Sequence, residues 1–315
     1  MIRLLAQRVA TGLLTILAIS LVVFAGTEIL PGDVVTAVLG QGAANVDVAA
    51  IRQQLNLDRP VPERYVTWLF SLASGDLGKS LGSGQSIATM IGERLPYTLR
   101  LAGVTALVAV PISVVLGLLA AMRAGSWFDR LTSGATMVFL SGPEFLVGTL
   151  LVILFAINLR WLPAVSFASE PQGFVDHFRS MTLPVLTLTV AVIAPMARMT
   201  RSALLTALTS PAIEMAILKG MPRARIVLLH ALPIALPPII TVIALNLAYL
   251  VTGVVIVEVV FNYPGMAKLL VDAVGTRDIP VVQACAMIFC FAFVALNLTA
   301  DLLALVANPR RRYPR

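Results

Sequence analysis

Apolar residues in this chain come neither in alternating runs nor in narrow stripes but in six long blocks, near 9–30, 101–121, 132–157, 181–197, 233–260 and 281–306. A bilayer core roughly 30 Å thick takes about 20 residues of helix, with about 17 to 25 accommodated. Each block is therefore predicted to cross a membrane once. The fourth is the shortest, and Arg198 and Arg201 bound it with stems long enough to snorkel to the interface. Pro111, Pro143, Pro184, Pro195, Pro237 and Pro238 lie in or at the ends of these blocks. Each removes a backbone donor and can kink its helix, which suits a protein that changes between two packings. Pro233 is read as punctuation at the entry to the fifth block.

Composition agrees. The 315 residues are 58% apolar and 12% charged, with a mean hydropathy of +0.92, against about 45–50% and 25% in soluble domains. A soluble enzyme, a disordered chain and a nucleic-acid binder are all disfavoured. The net charge of +7 suggests nucleic acid until the basic residues are placed. Segments 1–8, 122–131, 198–232 and 307–315 carry 13 Lys and Arg in 62 residues, whereas 31–100, 158–180 and 261–280 carry 10 in 113. Basic residues concentrate on cytoplasmic loops, so both termini are expected in the cytoplasm, and the tail from Arg310 to Arg315 agrees. Arg3 and Arg8 ahead of the first block imitate a secretory signal. No small-x-small cleavage site followed by a soluble domain appears, so an uncleaved anchor is expected. Its acidic exit, Glu28 to Asp33, suits the outer face.

Two loops exceed what a connection requires. Residues 31–100 form an outer region in which Val48 to Leu57 reads as a short amphipathic helix, ended by Pro60 and Pro62, with Trp68, Leu69 and Phe70 expected at the interface or the outer mouth. Residues 198–232 face the cytoplasm and read as two helical pieces separated at Gly220 and Pro222, with Lys219, Arg223 and Arg225 around the break. A loop of that length suggests a docking element for another protein.

Chemistry is scarce. Ala73 to Ser80, A-S-G-D-L-G-K-S, satisfies a permissive phosphate-binding-loop pattern. That loop must follow a buried strand and open a helix, yet here it follows an aromatic interfacial segment on the outer side. It and the G-S-G-Q-S of 82–86 are read as Gly-rich turns. His177 and His230 are expected in loops on opposite sides, which excludes a bis-histidine haem and leaves a Ser-His dyad without support. Cys285 and Cys290 share one apolar block and offer neither a disulfide framework nor a zinc site. Of the intramembrane acids, Glu28 and Glu258 lie near outer ends and Asp301 near an inner end, where water or an Arg satisfies them. Glu144, after Pro143, either lines a polar pathway or pairs within the fold. Four scattered acids form no proton relay, which weakens an ion-coupled carrier or channel as the alternative.

The cytoplasmic loop is more specific. Glu214-Met215-Ala216, three residues, Gly220, nine residues and His230-Ala231-Leu232-Pro233 resemble the E-A-A, G, I-x-L-P signature of the membrane subunits of binding-protein-dependent ABC importers. Its K-G and H-A-L details are similar to the dipeptide/oligopeptide/nickel branch. So are Leu55-Asn56-Leu57-Asp58-Arg59-Pro60, Gly75 to Ser80, Leu162-Pro163-Ala164, Glu258, Phe261, Pro264-Gly265, Asp272, Arg277-Asp278-x-Pro280 and Asn308-Pro309-Arg310. The long first outer loop resembles the first of the two permease partners. Met215 replaces a small Ala, His230 an Ile, and Pro233 a residue that is more often basic in this branch.

The resemblance implies an all-α membrane protein of six transmembrane helices with the type I ABC importer permease fold, a single transmembrane domain over 1–315, in a bacterial inner membrane. It implies no catalytic residue and no cofactor. Partners would be a homologous second permease, two cytoplasmic ATP-binding subunits and an external substrate-binding protein, with lipid around them and no nucleic acid. Cargo would be di- or oligopeptides, with nickel chelates, opines or other small solutes as alternatives. Glu214, Ala216, Lys219, Gly220 and Arg223 would couple the chain to an ATPase. Glu144, with Asn246 and Glu258 on the kinked fifth span, are the pathway candidates.

Overall fold

The computed structural model describes residues 2–29, 59–166 and 173–307. The expected amphipathic helix at Val48 to Leu57, Asp33, the Leu55 to Asp58 stretch and the tail from Asn308 onward lie outside the described residues. In chain order the helices are α1 (Ile2–Ile29), α2 (Val61–Ala73), α3 (Ile87–Met122), α4 (Trp127–Ser141), α5 (Glu144–Leu151), α6 (Phe174–Leu208), α7 (Pro211–Leu218), α8 (Arg223–Ile226), α9 (Leu232–Val260), α10 (Met266–Thr276) and α11 (Ile279–Ala307). Wider π-type turns continue α5 over Val152–Asn158 and join α8 to α9 over Val227–Ala231. Among the described residues there is no strand, only an isolated antiparallel bridge between Lys79 and Ser86.

Five stretches are long and apolar enough to cross a membrane singly, and the bent pair α4 and α5 passes the same test together, which gives six if the pair is one span. Several expected boundaries need correction. The second span begins at Ile87, not 101, and α6 extends from Phe174 to Leu208 where only 181–197 is apolar. Pro184 and Pro195 sit inside α6, because the loss of one donor each does not end a helix that its neighbours support. The third span is not one rod. Gly142 and Pro143 are both extended, with ψ of 141°, and the two halves meet at a bend of 106°. Pro143 cannot donate its nitrogen to the ladder and disfavours helical geometry in the residue before it. The fifth span starts before Pro233, which lies in the first turn of α9 after the π-type turn. Neither histidine is in a loop: His177 belongs to α6 and His230 to the turn before α9.

The chain divides into two compact units. Unit 2 comprises 9–98 and 264–294. Phe24 of α1 packs against Tyr65 and Trp68 of α2, with ring centroids 5.4 and 5.6 Å away, so Trp68 has an intramolecular partner while Phe70 stays exposed. Glu28 pairs with Arg64, and Thr27 accepts from Gln283 of α11 at 2.8 Å. The Gly-rich segment after α2 is a compact turn: Ser80 N–H donates to Gln85 at 2.9 Å and Ile87 N–H to Gly78 at 3.1 Å. Gly75, Gly78 and Gly84 supply positive φ there. It follows a helix, not a strand, as the rejection of a nucleotide site requires.

Unit 1 comprises 1–8, 99–263 and 295–315. Its centre is α6, packed along α9 and flanked by α4 and α5. Gly117 of α3 lets that helix approach α6 closely, since a Cβ there would stand 2.7 Å from the Ala197 carbonyl. Ser126 caps α4 by accepting the Asp129 N–H at 3.3 Å, which turns the Asp129 side chain toward Arg201 of α6. Those two form a bidentate pair, Nη2 to Oδ2 at 2.8 Å, with Asp129 only 3% exposed. Arg8 pairs with Asp301 at 2.8 Å, giving the inner-end acid the Arg partner expected of it.

Candidate functional site: the α7 element and the acids of α5 and α9

At one end of unit 1, α7 is held by its own chain. Ile213 and Ala216 are buried in a cluster with Ala121, Leu204, Val227 and Ala235. The opposite face is left out: Met215 and Ile217 are each 57% exposed and Leu218 80%, and Glu214 and Lys219 are exposed beside them. The helix begins at Pro211, which has no donor to lose in the first turn. It ends in a Schellman closure, in which Gly220 N–H donates to Ile217 at 2.9 Å and Met221 N–H to Ala216 at 3.3 Å. The closure needs a left-handed residue, and Gly220 has φ +72°. Met221 then packs on the Ala216 cluster and seats the exit.

The expected residues thus take different jobs. Glu214 and Lys219 point outward, Gly220 stops the helix, and Ala216 faces the chain's own core and seats α7. Arg223 begins α8, and its side chain lies outside the described residues. The break falls between Leu218 and Arg223, as the positions of Gly220 and Pro222 predict.

The pathway candidates do not converge into one cluster. Glu144 starts α5 immediately after the bend and accepts a hydrogen bond from the Tyr249 hydroxyl of α9 at 2.6 Å. Its other carboxylate oxygen is shielded and has no hydrogen-bond partner among the described residues. Asn246 spends its amide on its own helix, donating to the Val242 carbonyl at 2.9 Å. Glu258 lies two residues from the end of α9, and its side chain is 0% exposed, as are those of Phe261 and Tyr263 just beyond it. Burial shields it from solvent in this conformation. α5 packs closely through Gly148, where a Cβ would meet the Thr187 side chain at 3.3 Å and the Phe261 ring just past α9 at 3.4 Å. Tyr249 and Asp129 were not singled out from the sequence. Asn246, Tyr249 and Gly253 do share one helical face at i, i+3 and i+7, a signal that marks the Tyr249 side of α9.

Comparison with known proteins agrees with this architecture. Residues 113–313 match the family model described as binding-protein-dependent transport system inner membrane component, and residues 1–102 match the N-terminal model of the same systems. The chain belongs to this family: it is a multi-pass membrane permease of a binding-protein-dependent importer. It is 34% identical over 98% of both chains to a Sinorhizobium fredii protein named "Probable peptide ABC transporter permease protein". It is 36% identical to the Escherichia coli glutathione transport system permease protein, over 95% of each chain. A chain of the inward-facing MetNI methionine ABC transporter superposes with a TM-score of 0.54 at 17% identity, covering 70% of this chain and 97% of that one. That last likeness concerns the fold.

Proposed function

We propose that this chain is one half of the translocation pathway of an ATP-driven importer of short peptides, and that it performs no covalent chemistry itself. Its partners in this reading are a homologous second permease, two cytoplasmic ATP-binding subunits and an external peptide-binding protein. It works as one transmembrane domain in a bacterial inner membrane with both termini cytoplasmic. The carrying observation is α7: a helix anchored on one face by Ile213 and Ala216 and bare on the other. An element so built transmits force from a partner without melting, because its seat is hydrophobic and its C-terminal end is closed. Glu214 and Lys219 offer charges to the partner's groove, and Gly220 and Arg223 shape the exit from it. Peptide cargo is supported by the names of the relatives, among them a carrier of glutathione, itself a tripeptide.

ATP-driven closure of the partners would move α7, and the proline-containing α6 and α9 would rock with it. Glu144 and Asn246 are the proposed pathway residues, and Glu258 joins them in a conformation that opens the packing around α9. Reconstitution tests the reading. In liposomes this chain alone should neither hydrolyse ATP nor accumulate a dipeptide, and the second permease with both ATPases should restore turnover that the loaded binding protein stimulates. Dipeptide uptake by this chain alone, driven by an ion gradient and indifferent to ATP, would overturn it.

A further inference from the structure

At the same end of unit 1 as α7, a cavity of about 300 Å³ lies between α3, α4 and α6. Its walls combine two chemistries. Ala120, Met137 and Ala197 are apolar, whereas Arg198 and Arg201 bring guanidinium side chains to it. The hydroxyls beside them are already committed: Thr132 donates to the Phe128 carbonyl at 2.8 Å, Thr136 to that of Ser133 at 2.9 Å, and the Ser133 hydroxyl to the Asp129 carboxylate. Arg201 spends Nε and Nη2 on Asp129, leaving Nη1. Arg198, one turn earlier on the same face, is exposed and makes no ion pair or hydrogen bond among the described residues. The free donors of the cavity are therefore those of two arginines, set against an apolar wall.

We propose that this cavity binds an anionic phospholipid of the surrounding membrane, its headgroup phosphate held by Arg198 and the free edge of Arg201, and its glycerol and upper acyl chain lying against the exposed Met137. Planar guanidinium forks match phosphate oxygens, and basic pockets between transmembrane helices are suited to such headgroups. A zwitterionic lipid carries the phosphate but offsets its charge. A soluble phosphate has nothing to place on the apolar wall. The site differs from the pathway and from the exposed face of α7, and its test reads lipid binding, so its failure leaves the transport reading intact.

The purified chain in detergent would be titrated with phosphatidylglycerol and with phosphatidylcholine of the same acyl composition, and bound lipid counted by native mass spectrometry. One phosphatidylglycerol should be retained with about fivefold preference, the effect of roughly one basic group at a membrane surface. Arg198→Gln should abolish the preference and Arg198→Lys keep most of it. Met137→Trp, which fills the cavity but leaves both arginines, should lower retention as well, and it decides the matter if Arg198→Gln does not fold. Millimolar inorganic phosphate should not displace the lipid. Equal phosphatidylglycerol binding by the wild type, Arg198→Gln and Met137→Trp would overturn the proposal. Displacement by inorganic phosphate would overturn it too, in favour of a soluble-anion site.

Discussion

Ser80 and Asp278, 198 residues apart, meet in a buried hydrogen bond in which the serine hydroxyl donates to the aspartate carboxylate. The same carboxylate accepts the N–H groups of Leu81 and Gly82 at 3.1 and 3.3 Å. The Gly-rich turn that imitates a phosphate-binding loop therefore does present backbone donors to an anion, and the anion is the chain's own Asp278. Arg277, with φ +57° at the end of α10, swings Asp278 into that position.

Removing the carboxylate leaves the buried Ser80 hydroxyl and two partly accessible N–H groups without their acceptor. Asp278→Ala should cost about 1–3 kcal/mol of stability, because an unsatisfied buried donor loses its desolvation penalty. Thermal unfolding of the purified protein checks this. A variant as stable as the wild type would mean that water replaces the carboxylate freely.

At the end of α7, the left-handed conformation of Gly220 sets a different constraint. A β-branched side chain there pays about 1–2 kcal/mol of backbone strain, although a Cβ would meet no atom within 4 Å. Gly220→Val should insert but lose most transport and release the ATPases during purification, whereas Gly220→Asn, which tolerates positive φ, should retain both. Equal behaviour of the two variants would show that backbone conformation is not what the position requires.

The Asp129–Arg201 pair is asymmetric in exposure, with side chains 5% and 30% accessible. Arg201→Ala strands a buried carboxylate and should destabilise by about 3 kcal/mol. Asp129→Ala leaves a guanidinium that reaches water and should cost less, even though the Gly125 N–H also loses its acceptor. Chemical denaturation of both variants in one detergent gives the order, and the reverse order would contradict the burial argument.

Two glycines of α3 make a paired test of packing. A Cβ at Gly117 would stand 2.6 Å from Thr200 Cβ, while one at Gly103 meets nothing within 4 Å. Gly117→Ala should destabilise by about 1–3 kcal/mol, and Gly103→Ala should be neutral or slightly stabilising by helix propensity. Differential scanning calorimetry distinguishes them.

The distribution of Lys and Arg predicts an orientation that labelling can test. A cysteine replacing Ser83, exposed in the Gly-rich turn, should react with an impermeant maleimide from outside intact cells, and one replacing Lys219 should react only after lysis. The inverse pattern would reverse the topology.

Five single spans, a sixth if the bent pair α4 and α5 counts as one, and the stop at Gly220 were legible in the sequence, because hydrocarbon imposes a local rule: enough consecutive apolar residues, with backbone groups satisfied inside each helix. The helix break at Gly220 is equally local, a matter of which residue tolerates positive φ. Helix ends were less legible. Polar residues at 87–100 and 198–208 continue their helices into a wetter zone, where composition no longer separates helix from loop. Proline marked Pro143 as a kink, but its neighbours in α6 and α9 decide that the third span folds back by 106° rather than bending slightly. Only tertiary structure could set Asp278 against Ser80 or Tyr249 against Glu144, since those pairings span 198 and 105 residues. It also turned Ala216 inward and left Arg198 without a partner among the described residues. A residue's type states what it can bond to, and the packing of distant helices settles which partner arrives.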